Sequence, residues 1–330
     1  MSSGDDQPEA GDASPTTRGH GEKRLTFLFT DIKGCVPLFQ ALGNERARSY
    51  TREHDGLIRK EIDAHDGWFV DQAGDSLFGA FHDANSAVRA AFAMQEAIRD
   101  WWTAVSPGFA FGIRIGLHEG VAIAEGSQLA GDAVNLASRT MGQADADEIV
   151  ISDVVHGLLT SETSARFAWF GPFLPKGARD VVGIYRWQAP WKGRRGSSGP
   201  LDDDMGSTLS SDLDERGWQF DPRSETYGLA GLSPENTDVQ MRIGGEFRTV
   251  GRGTTCDYRL DSSRVGRKIG RRHMGFIVAR RQGWVFDLGG NGGVLVSYSA
   301  EARPLRVAQR APVSVGSFLQ TGMLRWRMDP

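Results

Sequence analysis

The sequence predicts an α+β domain followed by an all-β sandwich. Three observations carry that expectation. Apolar residues in the first half switch between strand and helix spacing in the order β-α-ββ-α-β. Composition breaks near Ala189. From about Thr237 onward only short β segments between Gly-rich turns remain, with no helical period.

Residues 1–22 are rich in Gly, Asp, Ser and Pro and hold too few apolar side chains to offset ordering entropy, so a disordered tail is expected. Leu25, Phe27 and Phe29 alternate with Thr26, Leu28 and Thr30 as a strand that runs into Asp31. A helix is expected over about 36–65, then two strands over 68–81 around the turn Gln72-Ala73-Gly74-Asp75. Ala91, Met94, Ile98 and Trp101 keep helical spacing, giving an amphipathic helix over about 84–102. Phe111, Ile113, Ile115 and Leu117 alternate as a strand, and Gly116 and Gly120 read as a hairpin region. A short helix over 133–141, a strand over 148–151 and a short helix over 153–159 follow. The order suggests helices packed against one face of a sheet. Residues 190–232 hold Gly, Ser, Pro and a triple Asp, so 189–236 reads as a flexible linker. Seven short strands are expected between 239 and 328, making 237–330 a β-sandwich.

Composition excludes several function classes. The net charge of −4 argues against a chain built to coat nucleic acid or an anionic membrane. No apolar run reaches the ~18 residues of a membrane-crossing helix. The first 24 residues lack the apolar core of a secretory signal. The two cysteines, Cys35 and Cys256, are far apart, which excludes a disulfide framework and fits a cytoplasmic protein.

The chemistry lies in two aspartates at strand ends, Asp31 and Asp75. Carboxylates at adjacent strand ends suit hard cations, and Mg²⁺ takes one or two of them together with phosphate oxygens and water. Two such ions about 3.5–4 Å apart can activate an attacking oxygen and neutralise a leaving one. A single Asp in a surface turn says little, so the surrounding words matter. FTDIKG (29–34), GDSLFGAF (74–81), GIRIGLHEG (112–120), GDAVNLASR (131–139) and LPKG (174–177) occur in that order. Together they resemble the class III adenylate/guanylate cyclase catalytic domain over residues 23–188.

The resemblance implies a ferredoxin-like α+β fold, a homodimer with active sites at the subunit interface, and conversion of ATP or GTP to a 3′,5′-cyclic nucleotide and pyrophosphate. It places Asp31 and Asp75 on the metal-binding aspartates, with the Ile32 carbonyl as a further ligand to two Mg²⁺ or Mn²⁺ ions. Asn135 falls on the ribose-orienting position, Arg139 on the arginine at the reacting phosphate, and Lys176 on the lysine for the terminal phosphates. Asn135 and Arg139 are four apart, so one helix face presents both. At the base-reading positions the sequence departs from the family: Asp71 stands where adenylate-type members carry Lys, and Gln128 where they carry Asp or Thr. Asp71 could accept from guanine, whereas Gln128 serves either purine, so the pair leans toward guanine; bacterial-type domains of this architecture lean toward ATP as a class, and ATP stays slightly ahead because noncanonical pairs occur in the family. His118 reads as a packing or capping residue.

TVGRG (249–253), GRRH (270–273) and DLGGNGG (287–293) resemble the forkhead-associated (FHA) domain. That resemblance implies a phosphothreonine-reading sandwich, with Arg252 and Arg271 on the phosphopeptide, Asn291 on its backbone and His273 beneath the loop. Gly270 stands where the family has serine. Arg264, Arg267, Lys268, Arg271 and Arg272 concentrate positive charge before His273, which leaves a generic anion or nucleic-acid patch as an alternative. For the whole chain the rival reading is a catalytically inactive cyclase-like adaptor acting through its FHA-like domain.

Overall fold

In the computed structural model the residues described are 21–33, 35–105, 112–178, 180–192, 227–231, 240–261, 269–280, 282–289, 293–321 and 324–329. They fall into two compact units, one within residues 1–169 and 184–199 and the other within 170–183 and 200–330. The tail 1–20 and most of the linker lie outside the described residues.

As far as Gln188 the chain runs β1 (Gly21–Lys33), α1 (Cys35–Ala64), β2 (Gly67–Ala73), β3 (Ser76–Phe81), α2 (Ala84–Val105), β4 (Gly112–Glu125), β5 (Gln128–Ala130), α3 (Asp132–Met141), β6 (Glu148–Ser152), α4 (Asp153–Leu158), α5 (Ser161–Ser164), β7 (Ala168–Phe173) and β8 (Val182–Gln188). The strands form one sheet in the order β2-β3-β1-β4-β6-β8-β7, with β5 paired to β4. Gly21 and Glu22, expected in the tail, already pair with Ala124 and Ile123 of β4. At Gly43 (φ 75°, ψ 165°) α1 breaks into two helical pieces.

Period-two alternation sorts the sheet residues onto two faces. Leu28, Ile32, Ile113, Ile115 and Leu117 pack with Ile58 and Ile62 of α1 and with the apolar stripe of α2. Leu25, Phe27, Phe78 and Ala80 pack with Ala133 and Ala137 of α3. Helices therefore cover both faces, not the single face expected from element order.

Two glycines explain how α3 lies so close to the sheet. Gly116 and Gly120 do not turn the chain; both sit inside the continuous strand β4, and the hairpin comes later, at Gly126, where φ is 65°. A Cβ on Gly116 would lie 2.0 Å from the Met141 nitrogen, and one on Gly120 would lie 2.6 Å from the Ala133 Cβ. Glycine within a strand often marks such a close approach.

The second unit continues with β9 (Tyr227–Gly231), β10 (Gln240–Ile243), β11 (Arg248–Gly251), β12 (Tyr258–Arg259), β13 (Met274–Ala279), β14 (Gln282–Asp287), β15 (Leu295–Ser297), β16 (Leu305–Arg306), β17 (Arg310–Val313), β18 (Phe318–Thr321) and β19 (Leu324–Asp329). One sheet is ordered β10-β9-β19-β18-β15-β16 and the other β12-β11-β13-β14-β17. They enclose one core: Leu229, Leu319 and Trp326 of the first sheet meet Val250, Phe276 and Val285 of the second. β9 falls inside the segment expected to be linker; it pairs with both β10 and β19, so the β-rich region starts earlier than Thr237.

Candidate active site

The site is built where β1 outruns its neighbour. β1 pairs with β3 only as far as Thr30↔Leu77, while its pairing with β4 continues to Lys33↔Gly112. Extending the β1–β3 register by two residues puts Asp75, in the β2–β3 turn, opposite Ile32 and diagonal to Asp31. Gly74 makes this turn, with a φ of 66° that L side chains resist.

Asp31 shares the α3 face with Phe29 and points at Arg114, its register partner on β4. Arg114 Nε donates to Asp31 Oδ2 at 2.8 Å, and Nη2 donates to the same oxygen. Both side chains are largely buried, at 15% and 22% exposure, so water screens the pair poorly. Burial pushes the Asp31 carboxyl above its usual range, against the pull of Arg114; the neighbouring Asp75 carboxyl pushes the same way. The structure thus joins Asp31 and Asp75, and it adds Arg114, which the sequence reading missed. A lone Arg between Ile113 and Ile115 was the available signal, but its partner becomes visible only with the register.

Asp71 and Gln128 meet at a second feature, a cleft of about 230 Å³ on the α3 face. Phe29, Phe78, Leu129 and Val134 line it with them. Phe29 and Phe78 stack at 4.4 Å with an interplanar angle of 6°. One side of Asp71 is engaged locally, because Oδ1 accepts from the Gln72 backbone N–H at 2.7 Å.

Asn135 and Arg139 both lie exposed on α3, whose opposite face buries Ala133, Ala137 and Met141. Lys176 is exposed in a turn closed by the Ala178 N–H to the Pro175 carbonyl at 2.9 Å. His118 is structural: it is buried, and its Nδ1 lies 2.8 Å from Oγ of Ser152, the N-cap of α4. Burial pushes its pKa down to about 4.

In the second unit, backbone bonds bring Arg252 and Arg271 side by side. The Arg252 N–H donates to the Gly270 carbonyl at 3.2 Å, and the Gly253 N–H to the Arg271 carbonyl at 2.8 Å. Arg252 Nε is tied to the Ile269 carbonyl at 2.8 Å, while the Arg271 side chain is exposed. His273 is fully buried; its Nδ1 accepts from the Gly270 N–H at 3.0 Å, and Nε2 meets the Thr321 hydroxyl. Asn291, Arg264, Arg267 and Lys268 lie outside the described residues.

The family model for the adenylate and guanylate cyclase catalytic domain matches residues 20–185. The chain belongs to this family. It is similar to an adenylate cyclase of Anabaena cylindrica, 26% identical over 51% of this chain and 37% of that protein. It is also similar to a pH-sensitive adenylate cyclase of Mycobacterium tuberculosis (strain CDC 1551 / Oshkosh), 25% identical over 56% of this chain and 45% of that protein. The chain thus spans less than half the length of either relative. Among solved structures, the adenylyl cyclase CyaB from P. aeruginosa is 25% identical, with a TM-score of 0.46, over 51% of this chain and 95% of that one.

Within the cyclase domain, the carboxylate pair fits a divalent cation. Two like-charged carboxyls are held together in a partly buried place, and a cation relieves both their repulsion and their desolvation. Among the described residues no group of three or more His, Cys, Asp or Glu gathers to form a protein-only metal cage.

Also among the described residues, no helix is long and apolar enough to cross a membrane.

Proposed function

We propose that the protein is a class III nucleotide cyclase. It converts ATP or GTP to the 3′,5′-cyclic monophosphate and pyrophosphate, using two Mg²⁺ or Mn²⁺ ions at a site shared by two copies of the chain. The observation that carries this reading is the convergence of Asp31 and Asp75, beside Arg114, at the strand ends of a domain belonging to the cyclase family.

In the reaction the ribose 3′-oxygen attacks the α-phosphorus, the bond to the bridging oxygen breaks, and pyrophosphate leaves with the electron pair as the hydroxyl proton is lost. Bound divalent ions neutralise phosphate charge and make the 3′-hydroxyl more acidic. Asp31 and Asp75, with the Ile32 carbonyl, would hold them. Asn135 orients the ribose and Arg139 meets the charge growing on the α-phosphate, both from the partner copy. Their exposure on α3 fits delivery to a neighbouring chain rather than to their own core. Lys176 binds the terminal phosphates. The purine enters the cleft against Phe29 and Phe78, with Asp71 and Gln128 at its polar edge. Positioning and charge stabilisation then do most of the catalysis.

The β-rich unit is read as an FHA-like domain for a phosphothreonine-containing partner. Support comes from Arg252 and Arg271 on adjoining loops, held over the buried His273. An exposed guanidinium such as Arg271 suits bidentate phosphate binding.

Incubating the full chain with Mn²⁺ and each of the four nucleoside triphosphates tests the activity. Cyclic purine nucleotide and pyrophosphate in equal amounts are expected. No product from any of the four leaves the inactive adaptor as the better reading.

A further inference from the structure

Gln72 lies one residue after Asp71 and three before Asp75, on the α1 side of the β2–β3 hairpin. Its side-chain amide is nearly saturated. Nε2 donates to Asp55 Oδ2 at 2.8 Å and to the Gly74 carbonyl at 3.1 Å, and Oε1 accepts from Arg59 Nη2 at 3.1 Å. Asp55 and Arg59 are one turn apart on α1 and present opposite charges, so the amide has only one favourable orientation. Both anchors are themselves held. His54 Nδ1 is 2.9 Å from Asp55 Oδ1, and the Arg59 guanidinium lies 3.3 Å from the Phe69 ring centroid.

The held side of this clamp is the turn. The Gly74 carbonyl belongs to the same rigid peptide plane as the Asp75 N–H, so fixing that oxygen fixes the direction in which Asp75 leaves the turn. Gly74 cannot supply this restraint itself: its φ is 66°, and apart from its two chain neighbours nothing lies within 4 Å of where its Cβ would stand. We propose that Gln72 is a positioning residue for the carboxylate pair, tying the Asp75 turn to α1 and thereby setting the Asp31–Asp75 spacing on which cation binding depends. The proposal rests on the metal-binding role assigned above to Asp31 and Asp75.

The test is titration of Mn²⁺ alone into the full chain, following the electron paramagnetic resonance of the free ion, for wild type, Gln72→Met and Gln72→Asn. Hydrogen exchange over residues 73–76 and the melting temperature are read alongside. Gln72→Met keeps the length and deletes every hydrogen bond; Gln72→Asn keeps the amide but is one methylene too short to span α1 and the turn. Both are expected to weaken Mn²⁺ binding about 10-fold or more and to speed exchange at the turn, as loss of a group that orients a metal ligand does. A folded variant that binds Mn²⁺ within about twofold of wild type overturns the role of Gln72. Should Gln72→Met fail to fold, Gln72→Asn decides alone. Wild-type protein that binds no Mn²⁺ overturns the metal assignment itself, a different result from unchanged affinity in the variants.

Discussion

Arg114 and Asp31 are direct register partners on β4 and β1, and the guanidinium Nε meets the carboxylate Oδ2 at 2.8 Å. This cation offsets the crowding of Asp31 by Asp75. Replacing Arg114 by Met leaves two like carboxyls partly buried without it. In metal-free buffer, urea unfolding is expected to show a loss of about 1–3 kcal/mol, below the full cost of stripping one partner from a buried pair because both side chains keep some water contact. Mn²⁺ should restore most of that loss in Arg114→Met and change wild type less.

His118 makes acid stability readable. It is held neutral in the fold, with its pKa lowered by burial from 6.5 to about 4. A base depressed in this way contributes stability fully above pH 6.5, and the contribution is lost as pH falls from there toward 4, because only the unfolded chain takes up the proton. Wild type is therefore expected to lose about 3 kcal/mol more than His118→Gln between pH 7 and pH 4, measured by urea midpoints. Parallel profiles for the two proteins would contradict this.

Gly116→Ala should be among the most damaging single changes in the domain. The new methyl would stand 2.0 Å from a backbone nitrogen of α3, which cannot step aside without the whole helix. A loss of about 3 kcal/mol or more, or failure to fold, is expected. Gly120→Ala instead meets a single methyl, that of Ala133, at 2.6 Å. Adding Ala133→Gly to Gly120→Ala is therefore expected to recover part of the melting temperature, whereas it should do nothing for Gly116→Ala.

The cleft gives a base-specific expectation. Asp71→Ala should lower kcat/KM for the preferred purine triphosphate by about 10- to 100-fold, the worth of one hydrogen bond to a charged group. Initial rates with ATP and GTP check it. An equal loss with both purines would mean that Asp71 shapes the turn rather than reads the base.

The outline of the first domain was legible because its strands alternate cleanly. Leu25, Phe27 and Phe29 on one face and the helical spacing of Ala91, Met94 and Ile98 gave the right elements in the right order. Gly116 and Gly120 were misread because a glycine that admits a helix and a glycine that turns a chain look alike in sequence. The second face of the sheet was missed for the same reason, since α3 declares itself through Ala133 and Ala137, which are too small to mark a core by themselves. β9 was hidden in a stretch of low apolar content. At the candidate site, Asp31 and Asp75 stand in motif words, and Asp71 and Gln128 were singled out from the family's base-reading positions. Arg114 and Gln72 were not, because their meaning lies in partners 83 and 17 residues away that only the register and the α1 packing bring near.

The most direct measurement mixes two inactive proteins. Asp75→Ala lacks a carboxylate and Arg139→Ala lacks the guanidinium proposed to face the phosphate; each alone should make almost no cyclic nucleotide. If one site draws its carboxylates from one chain and Asn135 and Arg139 from the other, an equal, freely exchanging mixture holds half heterodimers, each with one intact site, and should recover up to about a quarter of wild-type activity. No recovery from a mixture whose partners fold and dimerise would contradict a site shared between two chains.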